Sequence, residues 1–352
     1  MLRVGRREVG VDSILLEFQS PTYFMKPQVY IHRAGQWYSH FMDRENEALL
    51  ASFAEVVSEG PRENTIDAKE LVRRMSGCTA VLSLNGFGTG EITPEVLQEA
   101  RSVRLISRAH YWGQFDNIPE RFGIQVVDGS NAGTVAVAEW CIAAALMGVR
   151  KLHLLDAALK FGSEWGEHRR SIGILVGRTA GLIGLGRIGL YVAHAFTSLG
   201  LKVIACSQSC SAEKAAALGI RLVNLDELLT TSDIVSLHQA VTEKTKSLLC
   251  AREFALIKSG AVFINSARAA LYDEMALVKE LSKGRYLAFV DVFAVEPLPI
   301  HHPFRRMRNV IITPHIAGNN VEMFRRCARE SILGLENYFA GNGIVDQRYV
   351  YP

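Results

Sequence analysis

Short apolar runs alternate with amphipathic stretches along most of the chain. The apolar runs have the length and character of buried parallel strands, and the stretches between them carry apolar residues at helical spacing. Alternation of this kind predicts an α/β fold with mostly parallel sheets covered by helices on both faces. The predicted strands are residues 28–31, 80–84, 103–107, 180–183, 202–205, 221–223, 234–237, 261–264, 287–290 and 310–312.

Four of the stretches outside the predicted strands carry clear helical signals. Residues 43–57 place apolar side chains on one face, and Thr93 with Pro94 forms a typical helix start, an N-cap followed by proline. Residues 135–149 are the most apolar stretch, but they fall short of the roughly 20 residues that a membrane span needs. We therefore predict a buried helix there and no membrane contact. Residues 321–339 predict a long amphipathic helix that returns to the first half of the chain.

A glycine-rich turn follows the fourth predicted strand. Thr179 to Gly189 reads T-A-G-L-I-G-L-G-R-I-G, and helical spacing follows it. Gly184 permits a tight turn, Gly186 lets the backbone approach a pyrophosphate, and Gly189 lets helix and strand pack closely. The helix N-terminus adds N–H donors and a positive dipole end for phosphates. An ordinary glycine turn is the alternative, but the surrounding strand–turn–helix context favours dinucleotide binding.

The length of 352 residues predicts two domains, at about 150 residues for each domain. Residues 131–318 hold the glycine turn and a regular alternation of strands and helices, so we predict a Rossmann-type, doubly wound parallel sheet that binds the cofactor. Residues 1–130, completed by residues 319–352, predict a smaller flavodoxin-like α/β domain for the substrate. This first unit carries no phosphate fingerprint.

Composition argues against several classes of protein. The net charge is +3, with 39 basic and 36 acidic residues, and this balance argues against a nucleic-acid surface. The six cysteines are scattered without metal-ligand spacing, so we predict reduced thiols and no metal site. His301-His302 has no third ligand near in sequence and predicts a surface turn. Charges of both signs run through residues 1–20 and exclude an apolar signal core, so we expect a cytoplasmic location.

Three polar residues, Arg268, Glu296 and His315, follow the last three predicted strands. Ligands of parallel sheets collect at these strand ends. An arginine can hold a carboxylate with two hydrogen bonds, a histidine can pass a proton near neutral pH, and a glutamate can fix the tautomer of that histidine. Taken singly, each also fits an ordinary role as a surface ion pair, a turn residue or a strand cap. Their joint occurrence after the glycine turn favours hydride transfer between nicotinamide and a 2-oxo acid.

Five separate segments resemble the D-2-hydroxyacid dehydrogenases, a family that includes lactate, glycerate, phosphoglycerate and glyoxylate/hydroxypyruvate enzymes. The similarity runs from about residue 80 to residue 338. The matching segments are Gly184–Gly189 for the nucleotide turn, Leu237-His238 with Thr242 for L-H-x-P-x-T, Asn265–Arg268 with Asp273-Glu274 for N-x-x-R-G…D-E, Asp291–Pro297 for D-V-F-x-x-E-P, and Thr313–Gly318 for T-P-H-I-x-G.

The resemblance implies a role for each of the three polar residues. It implies that Arg268 binds the substrate carboxylate and polarises the carbonyl, that His315 is the acid/base, and that Glu296 is the partner of His315. It further implies a cleft between the domains, hinged near residues 129–135 and Gly318, a small-molecule 2-oxo or 2-hydroxy acid as the substrate, and a homodimer formed through the cofactor domain. The residues expected to bind the cofactor are Gly184, Gly186, Arg187, Ile188, Gly189, Ser207, His238, Thr242 and Asp291.

One departure from the family concerns the cofactor. Most members carry an aspartate after the second strand of the cofactor domain, and this chain has Ser207 there. Without that carboxylate nothing at this position repels a 2′-phosphate, which favours NADP. However, no arginine stands at residues 206–211 to hold the phosphate, and Lys214 is the nearest cation. Both NAD and NADP therefore stay open.

The substrate side departs further from the family. Residues 85–90 are glycine-rich, and Asn85 and Gly86 are candidate substrate contacts if the backbone there forms an anion nest; a surface turn is the alternative. Trp112, in the segment 108–113, is a further candidate for the pocket, with a core or interface aromatic as the alternative.

The expected function is reversible hydride transfer between NAD(P)H and a 2-oxo acid. The alternative is an NAD(H)-sensing binding protein similar to the family's transcriptional co-repressors, because such proteins can retain the same three polar residues. A formate-dehydrogenase-like activity is disfavoured, because that branch has glutamine at the position of Glu296.

Overall fold

The computed structural model describes residues 26–32, 37–58, 66–84, 91–109, 118–162 and 172–343. They contain two parallel β-sheets with helices packed against them. The strands of the first sheet are β1 (Gln28–His32), β2 (Glu55–Ser58), β3 (Ala80–Ser83), β4 (Leu105–Arg108) and β5 (Gln125–Asp128). The helices between them are α1 (Tyr38–Phe41), α2 (Arg44–Phe53), α3 (Ala68–Met75), α4 (Pro94–Glu99) and α5 (Ile118–Arg121).

The first sheet has the strand order β2-β1-β3-β4-β5. Val29 of β1 pairs in parallel with Val56 on one side and with Ala80 on the other. This parallel order is the flavodoxin-like arrangement, so the predicted fold class of this part is confirmed. The two edge strands, β2 and β5, are additions to the three strands predicted here. Thr93 caps α4 and accepts a hydrogen bond from the N–H of Val96, as predicted for this helix start.

The prediction of one helix over residues 43–57 is wrong for its last four residues. α2 ends at Phe53, and Ala54 is extended, with φ −124° and ψ 154°. The residues after it form β2, which pairs with β1 at the edge of the sheet. Because their side chains branch at Cβ, Val56 and Val57 favour a strand. Pairing with a distant strand decides the outcome, and local periodicity does not reveal that pairing.

The second sheet is larger and follows the glycine turn. Its strands are β6 (Thr179–Ile183), β7 (Lys202–Cys206), β8 (Arg221–Leu222), β9 (Ile234–Leu237), β10 (Val262–Asn265), β11 (Leu287–Val290) and β12 (Val310–Ile312). The remaining helices are α6 (Gly133–Arg150), α7 (Leu152–Lys160), α8 (Arg187–Ser198), α9 (Ala212–Ala217), α10 (Leu225–Thr231), α11 (Ala251–Leu256), α12 (Glu274–Leu281) and α13 (Val321–Phe339). Short 3-10 helices cover Gly129–Ala132, Ala269–Leu271 and Pro303–Arg306.

The strand order of the second sheet is β12-β11-β10-β9-β6-β7-β8. The chain builds outward from β6 in one direction to β8, and then crosses back to β9 and builds outward in the other direction. This is a doubly wound Rossmann sheet, as predicted, and the structure places its switch point between β6 and β9. Ligands bind such sheets at the carboxyl ends of the strands beside the switch point.

The second sheet is buried on both faces. Val262 and Ile264 of β10 contribute to one apolar cluster, and Phe263 between them contributes to another. The ring of Phe263 packs at right angles to that of Phe254 on α11, with centroids 5.7 Å apart. A strand enclosed on both faces needs a continuous apolar run, and β10 reads V-F-I-N.

α6 packs against the second sheet. Ala138, Cys141 and Ala145 are buried in the same cluster as Val262. Residues 129–150 are long and apolar enough to cross a membrane by length and composition alone. The predicted burial of this helix is confirmed for the face that touches the sheet, while Leu146 on another face is 38% exposed.

α13 returns to the first sheet after the chain has completed the second one. Its residues Phe324 and Ile332 are buried in a cluster with side chains of β1 and β3. The hydroxyl of Ser107 on β4 donates a hydrogen bond to the carbonyl of Ser331 at 2.9 Å. The chain therefore crosses between the two sheets twice, before α6 and before α13.

Candidate active site

Arg268, Glu296 and His315 follow three neighbouring strands of the second sheet. β10 pairs with β11, and β11 pairs with β12, both in parallel. Because parallel strands end at the same edge, the three residues emerge side by side at the carboxyl edge of the sheet. The sequence spacing alone could not show that these three strands are adjacent.

The side chains of Glu296 and His315 form an ion pair or hydrogen bond at this edge. Glu296 Oε2 lies 2.8 Å from His315 Nδ1, and about a third of each side chain is exposed, 36% and 32%. The other carboxylate oxygen of Glu296 accepts the N–H of Phe293 at 2.9 Å. Partial burial raises the pKa of Glu296, but hydrogen bonds from His315 and Phe293 and the positive charges of His315 and Arg268 outweigh it, so the net pKa is lowered. Glu296 is therefore a carboxylate at neutral pH.

The backbone holds His315 in an uncommon conformation. Its φ is +54°, in the left-handed region that few non-glycine residues adopt. Asp291, which is 1% exposed, accepts the N–H groups of Ile316 at 3.0 Å and Ala317 at 2.9 Å. The hydroxyl of Thr313 donates to the same carboxylate. A buried carboxylate that accepts three hydrogen bonds stabilises the turn that presents the imidazole.

Asp291 was predicted as a cofactor contact. Both of its oxygens are occupied by the turn of residues 313–317. Its observed contacts therefore make it a support for His315, and a direct contact with the cofactor stays a prediction.

Arg268 is exposed beside this pair. Its guanidinium Nη1 donates to the carbonyl of Ala267 at 2.7 Å. The buried amide of Asn265 accepts the N–H of Ala267 at 2.9 Å and so holds the segment that leads to the arginine. The charge of Arg268 contributes to the lowered pKa of Glu296, so the guanidinium lies within electrostatic range of the pair.

The glycine turn connects β6 to α8, and its geometry requires glycine at two positions. Gly184 has φ +96°, and a Cβ there would lie 2.8 Å from the backbone nitrogen of Gln239. A Cβ at Gly189 would lie 2.4 Å from the carbonyl oxygen of Gly184. At Gly186, the N-cap of α8, a Cβ would meet no atom within 4 Å. The space in front of the helix N-terminus is open, so the turn fits the phosphates of a dinucleotide.

His238 lies behind the turn. Its backbone N–H donates to the carbonyl of Ile183 at 2.8 Å, and its Cβ is 3.5 Å from where a Cβ on Gly189 would be. Burial lowers the pKa of His238 to about 4, so the ring is neutral at neutral pH. Thr242, further along the same loop, is exposed, and its N–H donates to the hydroxyl of Thr245 at 2.7 Å. Whether either residue touches the cofactor stays a prediction.

Three other predicted cofactor residues surround the same turn. Arg187 begins α8, and its guanidinium lies 4.0 Å from the carboxylate of Asp128 at the end of β5. Ile188 is half-buried and packs against the core. Ser207 follows β7, whose last residue, Cys206, accepts the N–H of Gly184 at 2.9 Å. This hydrogen bond places Ser207 immediately beside the glycine turn, where an adenosine ribose would bind.

The predicted substrate contacts Asn85, Gly86 and Trp112 lie outside the described residues. Within the described part of the chain, no cluster of three or more His, Cys, Asp or Glu side chains could hold a metal ion. All six cysteines are in this part and are free thiols.

The prediction that His301-His302 is a surface turn is wrong for His302. The side chain of His302 is only 11% exposed, and its ring stacks edge-on against Phe304, with centroids 4.7 Å apart. Its Nε2 lies 3.2 Å from the carboxylate of Glu274, the first residue of α12. The contact joins residues that are far apart in sequence, so no local pattern could have found it. His301 is exposed, as predicted.

Comparison with known proteins identifies the family. Residues 142–317 match the family model described as D-isomer specific 2-hydroxyacid dehydrogenase, NAD binding domain. The chain belongs to the D-isomer specific 2-hydroxyacid dehydrogenase family. The resemblance stated from the sequence motifs is therefore confirmed, and so is a nicotinamide dinucleotide, NAD or NADP, as the cofactor class.

Several relatives support this membership in the D-isomer specific 2-hydroxyacid dehydrogenases. The chain is 34% identical to a D-3-phosphoglycerate dehydrogenase of Archaeoglobus fulgidus over 260 residues, which is 72% of this chain and 48% of that protein. It is 31% identical to a glyoxylate reductase of Thermofilum pendens over 310 residues, which is 86% of this chain and 88% of that protein. The match thus spans about half the length of the first relative and most of the second.

The solved structures show the same fold. The TT0316 protein from Thermus thermophilus superposes with a TM-score of 0.69 and 27% sequence identity, and the match covers 92% of this chain and 100% of that one. The apo form of D-mandelate dehydrogenase from Rhodotorula graminis gives a TM-score of 0.71 at 22% identity, with coverages of 89% and 94%. At that identity the second likeness shows the fold alone.

Proposed function

We propose that this protein catalyses reversible reduction of a 2-oxo acid to the D-2-hydroxy acid with NADH or NADPH. The observation that carries the proposal is the 2.8 Å contact between Glu296 and His315 at the carboxyl edge of the Rossmann sheet. Glu296 follows β11 and His315 follows β12, and Arg268 follows the neighbouring strand β10. Family membership supports the same reaction class.

The cofactor, when bound at the glycine turn, supplies the hydride that reduces the carbonyl carbon. Arg268 binds the substrate carboxylate through two N–H groups and polarises the adjacent carbonyl. Positioning by such a fork aligns the reacting carbon before the transfer.

His315 supplies the proton. The Glu296 carboxylate accepts a hydrogen bond from Nδ1–H of His315, so the hydrogen is on Nδ1. The other ring nitrogen of His315, Nε2, is the one that exchanges a proton with the substrate. In the reduction, Nε2–H of the imidazolium protonates the developing alkoxide, and the ring is left neutral with Nδ1–H still held by Glu296. In the oxidation, the neutral Nε2 takes the hydroxyl proton. Glu296 stabilises the cationic form and keeps the ring oriented.

The choice of cofactor follows from Ser207. A serine cannot accept both ribose hydroxyls as a carboxylate does, and it does not repel a 2′-phosphate. We propose that the enzyme uses NADPH at least as well as NADH.

We propose that residues 1–130 with 319–352 form the substrate domain, residues 131–318 form the cofactor domain, and the substrate binds in the cleft between them. A homodimer through the cofactor domain is supported by apolar side chains that are exposed along and after α6 and α7. They are Leu146, Leu152, Leu159, Phe161, Ile174 and Val176, with exposed fractions from 38% to 89%. A cytoplasmic location stays a prediction.

A panel of 2-oxo acids tests the proposal. Each acid is incubated with NADH or NADPH, cofactor oxidation is followed by its absorbance, and the product is assigned as R or S by chiral chromatography. Cofactor binding is measured in parallel by calorimetry. Turnover to the R product supports the dehydrogenase. Cofactor binding without turnover of any acid would contradict it and favour the alternative, an NAD(H)-sensing binding protein.

A further inference from the structure

Two side chains hold the loop that carries Glu296. The carboxylate of Glu274 accepts the N–H of Ala294 at 3.0 Å, and the hydroxyl of Tyr272 donates to the carbonyl of Val292 at 3.3 Å. These two backbone groups lie on either side of Phe293, whose own N–H binds the Glu296 carboxylate. Contacts from the segment 272–274 therefore hold the backbone on both sides of Phe293, the residue whose N–H orients Glu296.

The Tyr272 hydroxyl is a permanent donor. Burial raises the pKa of Tyr272, and the negative charges of Glu274 and Glu296 raise it further. The hydroxyl therefore stays protonated at neutral pH and remains a donor. Its oxygen lies 3.3 Å from the Val292 carbonyl and 3.4 Å from Glu274, and its one hydrogen is shared between these two acceptors.

His302 contacts the other carboxylate oxygen of Glu274, the one that does not face Ala294 and Tyr272. Its Nδ1 accepts the N–H of Phe304 at 3.3 Å, so the ring hydrogen is on Nε2. Nε2 lies 3.2 Å from Glu274 Oε1, and both side chains are 11% exposed. His302 Nε2 is buried and makes no hydrogen bond within the described part of the chain, so its contact with Glu274 is an electrostatic one. With little water nearby, such a contact is weakly screened.

The Glu274 carboxylate is not needed to start its own helix. α12 is capped by Asp273, whose side chain accepts the N–H of Ala276 at 2.9 Å. Glu274 instead directs one oxygen to Ala294 and Tyr272 and the other to His302. Each of these three neighbours is a donor, so an amide in place of the carboxylate would set its own NH2 group against one of them.

We propose that Glu274 and His302 are positioning residues for the Glu296–His315 pair, acting through the Val292–Ala294 backbone. The chain of contacts runs from His302 to Glu274, to the Ala294 N–H, and through Phe293 to Glu296 and His315. Tyr272, Glu274 and His302 are here called the clamp. Its effect on turnover rests on the proposed function, because it assumes that the Glu296–His315 pair is the acid/base. Its effect on the orientation of Glu296 does not.

Glu274→Gln tests the clamp with almost no change in shape. We expect kcat to fall by up to about 10²-fold, the scale for a small displacement of a catalytic group, with KM for the 2-oxo acid nearly unchanged. His302→Leu should act in the same direction. His302→Gln, whose amide keeps a donor near the position of Nε2, should restore much of the activity lost in His302→Leu.

Glu280→Gln is the matched control. Glu280 is on the same helix, is 4% exposed, and forms ion pairs with Lys283 and Arg285 far from the loop. The Glu280→Gln variant should have a lower Tm, while its kcat and the pH profile of its kcat should stay unchanged. A clamp variant that lowers only Tm, as Glu280→Gln does, would show that the clamp is merely structural and would overturn the proposal.

The carboxyl carbon of Glu296, followed by carbon NMR across pH, gives a readout that does not require turnover. Its pKa is lowered in the wild type, and His302→Leu should move it back up as the hydrogen bonds to Glu296 loosen. Glu274→Gln should move it in the same direction but less, because the loss of a neighbouring negative charge opposes the rise. If neither variant moves this titration, the clamp is refuted even if kcat falls. If both move it while the wild type reduces no 2-oxo acid, the clamp stands and the proposed function fails. His302→Leu decides the matter if Glu274→Gln does not fold.

Discussion

Glu296 Oε2 lies 2.8 Å from His315 Nδ1, although the two residues are 19 positions apart and follow different strands. The contact needs two loops of defined shape. The loop after β11 is held at Glu296 by the N–H of Phe293, and the turn after β12 is held by the buried carboxylate of Asp291. The pair is therefore built before any substrate arrives, which is what a positioned acid/base requires.

His315→Ala should lower kcat by at least about 10²-fold, the lower end for a positioned acid/base, with little change in cofactor affinity. Steady-state kinetics and calorimetry with the cofactor measure the two effects. His301→Ala, at an exposed histidine on the segment that leads to β12, is the control and should retain full activity. Near-full turnover in His315→Ala would remove His315 from the mechanism.

Glu296→Gln should shift the pH profile of reduction to lower pH. In the proposed mechanism the reduction uses the imidazolium of His315, and the lowered pKa of Glu296 reflects favourable interaction of its charge with neighbouring cations. When an amide replaces that charge, the imidazolium loses the carboxylate that stabilises it, so activity on the alkaline side should be lost at lower pH. The measurement is kcat against pH for both proteins. An unchanged alkaline limb would contradict a role for the pair.

Asp291→Asn should destabilise the fold and also lower kcat. The buried carboxylate accepts hydrogen bonds from Thr313, Ile316 and Ala317, and an amide would place an NH2 group against one of these donors. We expect a loss of about 1–3 kcal/mol in the free energy of unfolding, the cost of a buried polar group left without a partner. Urea unfolding measures it. Asp226→Asn, at an exposed ion pair with Arg252, should leave Tm nearly unchanged.

Two alanine substitutions in the glycine turn should separate folding from cofactor binding. Gly189→Ala puts a Cβ 2.4 Å from the carbonyl oxygen of Gly184, so both Tm and cofactor affinity should fall. Gly186→Ala meets no protein atom within 4 Å and has φ −77°, so Tm should hold while the methyl group occupies the phosphate space. Full cofactor affinity in Gly186→Ala would show that the phosphates bind elsewhere.

Ser207→Asp should shift the preference toward NADH by about 1–3 kcal/mol, the scale of a hydrogen bond to a charged group that is gained together with a repulsion. The ratio of kcat/KM for NADH and NADPH in both proteins measures the shift. A wild type that already prefers NADH by about 100-fold, a difference of about 2.7 kcal/mol, would refute the argument. It would indicate that Gln208, Ser209 or the backbone holds the ribose.

Local patterns by themselves determined a large part of this fold. The bounds of β9, β11, β12 and α13 agree with their sequence predictions, because a short apolar strand gives a continuous apolar run and a long amphipathic helix gives a periodic one. The glycine turn was equally predictable, since the positive φ of Gly184 and the close approach of Gly189 to the Gly184 carbonyl are local requirements. The positions of Arg268, Glu296 and His315 after strand ends followed from the same strand predictions.

Only the tertiary structure decided which strands are neighbours and what supports the site. The residues of β2 were predicted as the end of a helix. They form a strand because they pair with β1, 27 positions earlier in the chain, and local periodicity does not show that pairing. The partners of Asp291 are up to 26 residues away, and Glu274 reaches Ala294 across 20. Such contacts depend on how separate elements pack, and no pattern within a short window encodes them. For that reason the sequence predicted the reacting groups, and the structure showed which residues hold those groups in place.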